Sequence, residues 1–271
     1  MRYKAIALDI DGTLTNSKKE VSDKTRLSLI EAEKAGFKLI LASGRPTIGL
    51  EALAKKLEFD KFGGILLSYN GGNVVDYLTG KCLYEKVIDL NAAKEVLKFL
   101  KEFNVTAMIT ENDTLVVEDK NGYKVDYESE INKLKIKEVS LLSDYIKKSP
   151  CKILVSGNHD ELNGVLNKVK ERFSNEIDVY FSAEFYLEIV AKGINKATSL
   201  KGALEKLNIK RDELIAFGDE RNDMTMIEFA GLGVAMGNAI KELKEIANEV
   251  TLSNDEDGIA HTINRILREG K

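Results

Sequence analysis

The residues best suited to chemistry lie in two acidic clusters far apart in the chain. The first closes the stretch Ala5-Ile6-Ala7-Leu8-Asp9-Ile10-Asp11-Gly12-Thr13-Leu14, an apolar run that ends in two acids two residues apart. In an extended strand residues i and i+2 point the same way, so Asp9 and Asp11 can face one site. Carboxylates that close repel each other and need a metal ion, a lysine or a shared proton nearby. Mg²⁺ is the natural candidate, because it takes hard oxygen ligands. The second cluster, Gly218-Asp219-Glu220-Arg221-Asn222-Asp223, follows the apolar run Leu214-Ile215-Ala216-Phe217. If the two runs are neighbouring strands, Asp9, Asp11, Asp219 and Asp223 converge, and four carboxylates together require a divalent cation.

Three further segments could serve such a site. Ser43-Gly44-Arg45-Pro46 follows the apolar run 37–42. At a strand-to-helix junction, a hydroxyl and free backbone N–H groups can hold an anion. Taken alone, a Ser N-cap is the simpler reading of Ser43. Lys196 opens a helix after Gly193-Ile194-Asn195, where the dipole disfavours a cation. A residue that breaks a local rule hints at function. Asn70-Gly71-Gly72-Asn73 marks a tight turn.

The elements that must position these residues follow from periodicity. Apolar runs at 5–10, 37–42, 64–69, 213–217 and 231–236 read as buried strands of a parallel sheet. Helices are expected at 23–35, capped by Ser22, and at 47–57, 196–207, 224–229, 239–247 and 257–267. A hairpin at 73–78 and 82–88 flanks the third strand. In open α/β sheets chemistry gathers outside the carboxyl ends of the strands, which is where both acidic clusters lie. The texture changes between about 85 and 190, with helices at 91–103 and 160–173, short strands, and a charged, poorly patterned stretch at 119–148. Such a mixture reads as an α+β module. The expected fold is therefore α/β: a doubly wound, mostly parallel sheet core formed by residues 1–84 and 191–271, interrupted by an inserted α/β cap at 85–190.

Composition narrows the function. The 271 residues carry 40 basic and 44 acidic side chains, a net charge of −4, so no basic field exists to attract nucleic acid or an anionic membrane. No apolar stretch approaches the roughly 20 residues of a membrane span, and Met1 runs directly into the first strand, leaving no room for a signal peptide. A cytoplasmic protein is expected. Cys82 and Cys151 then read as reduced thiols, and His159 and His261 lack the spacing of a zinc site.

The motif set resembles the haloacid dehalogenase (HAD) superfamily, specifically its Cof-type sugar-phosphatase branch. The matching residues are Asp9-Ile10-Asp11-Gly12-Thr13-Leu14, Ser43-Gly44-Arg45, Lys196, and Gly218-Asp219 with Asn222-Asp223. Asn70-Gly71-Gly72, Val234–Ala239 and Asn254–Gly258 also fit that branch. Two details depart from its commonest pattern: Ser43 stands where Thr is frequent, and Ala197 where Gly is frequent. The resemblance implies a Rossmann-like core with a cap acting as a lid that shapes the pocket and excludes water. It implies that Asp9 is the nucleophile, forming an aspartyl-phosphate, and that Asp11 is the general acid and base, with its pKa raised while Asp9 stays ionised. Mg²⁺ would be held by Asp9, the Asp11 carbonyl and Asp219, with Asp223 either a further ligand or a support behind them. Ser43, Gly44 and Lys196 would neutralise the phosphoryl oxygens, Asn222 would contact the phosphate or orient Lys196, and Arg45 and Asn70 would touch substrate. The implied activity is that of a phosphoric monoester hydrolase acting on a small phosphorylated metabolite, the chain being a monomer or weak homodimer. A phosphomutase would use the same motifs. A phospho-receiver domain shares the Asp cluster but is much shorter and has no insert.

Overall fold

The computed structural model describes residues 2–270. They divide into two compact units. The first comprises the residues up to Gly44, Leu50–Glu85 and the residues from Asn195 onward; the second comprises Arg45–Gly49 and Lys86–Ile194. The sequence reading left Arg45–Gly49 with the first unit. The segment joins the second because Ile48 packs on an apolar cluster around Met108, Leu154 and Tyr186.

The first unit begins with β1 (Ala5–Leu8), α1 (Asp23–Lys34), β2 (Lys38–Ala42), α2 (Glu51–Lys56), α3 (Phe59–Phe62), β3 (Ile65–Ser68), β4 (Asn73–Asp76) and β5 (Cys82–Glu85). The second unit follows as α4 (Leu90–Leu100), β6 (Thr106–Glu111), β7 (Thr114–Val117), α5 (Val125–Asn132), β8 (Lys135–Glu138), α6 (Leu142–Tyr145), β9 (Lys152–Ser156), α7 (His159–Phe173), β10 (Ile177–Ala183) and β11 (Tyr186–Ala191). The chain returns to the first unit with α8 (Lys196–Lys206), β12 (Leu214–Gly218), α9 (Met224–Phe229), β13 (Leu232–Ala235), α10 (Lys241–Ile246), β14 (Glu249–Val250) and α11 (Gly258–Glu269).

The sheet of the first unit has the order β14-β13-β12-β1-β2-β3-β4-β5. It is parallel from β14 to β3, with the β4–β5 hairpin antiparallel at one edge. Its central strands are buried apart from Lys38 at the start of β2, which explains their near-continuous apolar composition. α1 packs with α11 and α8 with α9. Two of these helices, α1 and α8, start where a short polar side chain caps them. Ser22 Oγ accepts the Thr25 N–H at 3.0 Å, and Asn195 Oδ1 accepts the Thr198 N–H at 2.9 Å.

The second unit is a six-stranded sheet of order β10-β11-β9-β6-β7-β8, antiparallel except for β7–β8. Ile153 and Val155 join the cluster that packs α4, α6 and α7, whereas Leu154 joins the cluster holding Val125 of α5, as a two-residue period requires. The poorly patterned stretch 119–148 contains α5, β8 and α6. α5 is flanked by Lys124 and Lys133, both left-handed, and has no side-chain cap, so sequence offers little to mark it. No helix among the described residues is long and apolar enough to cross a membrane.

Candidate active site

β1 pairs with β12 on one side and with β2 on the other, so the chain order reverses there. This topological switch opens a crevice at the carboxyl ends of the strands. Asp9 follows β1 and donates its N–H to Phe217 O at 3.1 Å. Asp219 follows β12 directly, and Ser43 follows β2, with its N–H on Leu67 O at 2.9 Å. Sheet order thus gathers side chains about two hundred residues apart.

Lys196, at the first turn of α8, is fully buried and reaches into this crevice. Its Nζ donates to Asp9 Oδ1 at 2.6 Å, Asp223 Oδ1 at 2.6 Å and Ala42 O at 3.0 Å. An ammonium has three protons, and all three are used. Asp223, also fully buried, accepts the N–H groups of Asp219 and Glu220 on Oδ2 at 3.0 and 3.1 Å. Thr13 Oγ1 donates to Asp219 Oδ1 at 2.6 Å. Two glycines permit this close packing. Gly12 adopts φ +86°, and a Cβ there would lie 2.2 Å from Asp219 Oδ2. A Cβ on Gly218 would lie 2.5 Å from that of Asp223.

Charge in the cluster does not balance. Asp9, Asp219 and Asp223 offer oxygens within 4.8 Å of one another, against the single ammonium of Lys196. Burial, and then the Asp223 carboxylate, push the Asp9 carboxyl up to about 8 despite the pull of Lys196. Burial likewise raises Asp219 to about 6, helped by Asp223 and opposed by the Thr13 hydrogen bond. Burial works against the Lys196 ammonium, but Asp223 and Asp9 outweigh it and hold the amine above its ordinary value. An all-oxygen, anionic, buried donor set short of positive charge fits a hard divalent cation.

The other expected residues divide. Asp11 is not in the buried cluster. β1 ends at Leu8, the chain turns through Ile10, and Asp11 bridges to Thr15. Its side chain is 40% exposed, and its carboxylate accepts from Lys19 Nζ at 3.1 Å. The expectation of four converging carboxylates thus becomes three, because β1 ends at Leu8 and the chain turns at Ile10, so the extended geometry that would align Asp11 with Asp9 is absent. Ser43 and Asn70 are buried in the first unit, where Asn70 N–H donates to Ser43 O at 2.9 Å. A Cβ on Gly44 would lie 3.0 Å from Asn70 Nδ2. Asn222 Nδ2 donates to Asn70 Oδ1 at 3.3 Å, so it contacts Asn70 rather than Lys196. Tyr69 and Asn70 are both left-handed, at φ 54° and 53°. Arg45 falls in the second unit. Sequence reasoning missed the Thr13 hydroxyl on Asp219 and the Ala42 carbonyl on Lys196. Thr13 was within reach, as the only side-chain donor between Gly12 and Leu14; a backbone acceptor leaves no trace in sequence.

Comparison with known proteins agrees with this architecture. Residues 6–263 match the family described as haloacid dehalogenase-like hydrolase. A haloacid dehalogenase-like hydrolase from Bacteroides thetaiotaomicron superposes with a TM-score of 0.93 at 40% identity, covering 97% of this chain and 99% of that one. The 5-amino-6-(5-phospho-D-ribitylamino)uracil phosphatase YcsE of Bacillus subtilis is 31% identical, covering 96% of this chain and 94% of its own length. Phosphatase YwpJ of the same organism is 30% identical, covering 97% of this chain and all of YwpJ. With a parallel-dominated α/β sheet, buried acids at its switch point and a match over nearly its whole length, the chain belongs to the haloacid dehalogenase-like hydrolases.

Proposed function

We propose that this protein is a Mg²⁺-dependent phosphatase of small phosphorylated metabolites, sugar phosphates foremost, that works through an aspartyl-phosphate on Asp9. The observation that carries the reading is the buried Asp9 carboxylate, held by Lys196 beside Asp219 and Asp223. Asp9, the Asp11 carbonyl and Asp219 would hold the cation. Asp223 completes the acidic cluster while orienting Lys196 and the Asp219 turn through its own hydrogen bonds. When bound, the cation offsets the anionic charge of Asp9 and of the phosphoryl group.

Asp9 attacks phosphorus, and the bond from phosphorus to the leaving oxygen breaks as Asp11 gives that oxygen a proton. Asp11 then takes a proton from water, whose oxygen attacks phosphorus and releases phosphate and free Asp9. Asp11 suits both steps: it is partly exposed and so can exchange protons with solvent. The Ser43 hydroxyl and the Gly44 N–H bind the equatorial phosphoryl oxygens, and Lys196, its three protons already engaged, neutralises them through its charge. Asn222 orients Asn70, and Asn70 contacts the substrate.

The deciding experiment is phosphate release from a panel of phosphorylated metabolites, with and without Mg²⁺, for the unaltered protein and Asp9→Asn. The panel includes sugar phosphates and 5-amino-6-(5-phospho-D-ribitylamino)uracil, the compound named for YcsE. Mg²⁺-dependent release that disappears in Asp9→Asn is the expected result. Isomerised phosphate in place of free phosphate would make the protein a mutase, and a long-lived phosphoprotein without release would make it a receiver.

A further inference from the structure

We propose that Asn238 is a positioning residue that fixes the spacing of the two acidic segments and so sets their affinity for a divalent cation. The inference rests on Asp9 and Asp219 holding Mg²⁺. The loop after β13 touches both acidic segments. Asn238 Nδ2 donates to Gly12 O at 2.8 Å, on the residue that follows Asp11. Two residues on, the Ile240 N–H donates to Asp219 O at 3.0 Å. One short loop therefore grips the backbone of both segments, at the point where Gly12 lies against the Asp219 carboxylate.

The loop is itself held. Gly237 N–H donates to Leu252 O at 3.0 Å, and Lys244 Nζ donates to Gly237 O at 2.6 Å. Asn238 Oδ1 accepts the Asn254 N–H at 3.0 Å, so both ends of the amide are committed and its orientation is fixed. Asn254 Nδ2 in turn donates to Thr15 O at 2.9 Å, and the Ser17 N–H donates to Asp255 Oδ1 at 2.9 Å. The turn from Asp11 to Ser17 is thereby tied to two segments from the far end of the chain. Asn238 is exposed, so its side chain is not kept for apolar burial. Releasing Gly12 O loosens the part of the turn that carries the Asp11 carbonyl and the Thr13 hydroxyl, upstream of the ties at Thr15 and Ser17, while Ile240 still holds Asp219 in place. The two halves of the cluster then lose their common reference. Partners that orient metal ligands in this way are worth ~10–100-fold in metal affinity.

The test is Mg²⁺ binding by isothermal titration calorimetry, with substrate absent. The variants are Asn238→Ala, Asn238→Asp and the control Asn248→Ala, which loses a comparable hydrogen bond, from the Gly233 N–H at 2.7 Å, at the start of β13. Both Asn238 variants should bind Mg²⁺ ~10-fold or more weakly. The control should bind as the unaltered protein does. Asn238→Asp is the sharper variant, because it removes the donor yet adds a negative charge that would otherwise attract the cation. In phosphate release, the Mg²⁺ concentration for half activity should rise by the same factor, with kcat at saturating Mg²⁺ largely kept. Unchanged Mg²⁺ binding in the Asn238 variants, or an equal loss in Asn248→Ala, overturns the inference and leaves the phosphatase reading intact. Failure of the unaltered protein to bind Mg²⁺ overturns the metal reading, and this inference with it.

Discussion

Lys196→Met removes the one ammonium from a cluster of three buried carboxylates and nearly keeps its volume, so the cavity cost is small. Lys196 is fully buried and holds both Asp9 and Asp223, so its loss strands two acids. Removing one partner of a buried ion pair costs about 3–5 kcal/mol, and that is the destabilisation expected above about pH 8, where Asp9 is ionised. The penalty should depend on pH in a definite direction. Asp9 titrates at 3.8 in its ordinary state and at about 8 in the folded protein, so its contribution to stability falls as pH rises through that interval. Lys196 is among the groups that hold this value down; without it, Asp9 keeps its proton to still higher pH and the fall extends further. The variant should therefore be least impaired at about pH 5, where Asp9 is protonated, and most impaired above about pH 8. Urea unfolding of both proteins at several pH values, without divalent cations, measures this. A deficit that is the same at every pH would refute the electrostatic reasoning and leave only lost packing.

Two further substitutions probe the same unit. Gly12→Ala places a Cβ 2.2 Å from Asp219 Oδ2 and forces a left-handed alanine at φ +86°, a strain of roughly 1–2 kcal/mol. Phosphate release and Mg²⁺ binding should both collapse while the protein still unfolds cooperatively; normal activity would show that Asp219 is not where the chemistry occurs. Glu33 of α1 is buried, and neither carboxyl oxygen has a hydrogen-bond partner among the described residues. Burial, with Glu58 adding and Lys38 opposing, raises it from 4.5 to about 8, so stability should fall as pH climbs through that window. Glu33→Gln should flatten the fall by at most about 1.4 kcal/mol per pH unit, and parallel Tm curves for the two proteins would count against it.

The sequence by itself determined the elements and the candidates. The strands at 5–8, 38–42 and 214–218 are legible because buried parallel strands are almost wholly apolar. α1 and α8 are legible because Ser22 and Asn195 cap them with local hydrogen bonds. These signals come from neighbours a few residues apart, and a chain read in order contains them. Tertiary structure decided what depends on distant parts of the chain meeting. That Lys196 balances Asp9 and Asp223 follows from β12 lying beside β1, a pairing no local pattern encodes. That the Asp11 side chain stays out of the buried acidic cluster and meets Lys19 follows from β1 ending at Leu8, which the apolar run through Ile10 conceals. The helix in 119–148 stayed hidden because left-handed lysines, rather than capping side chains, bound α5. The amide of Asn238 on Gly12 joins residues 226 positions apart, and only the folded sheet brings them within hydrogen-bond reach.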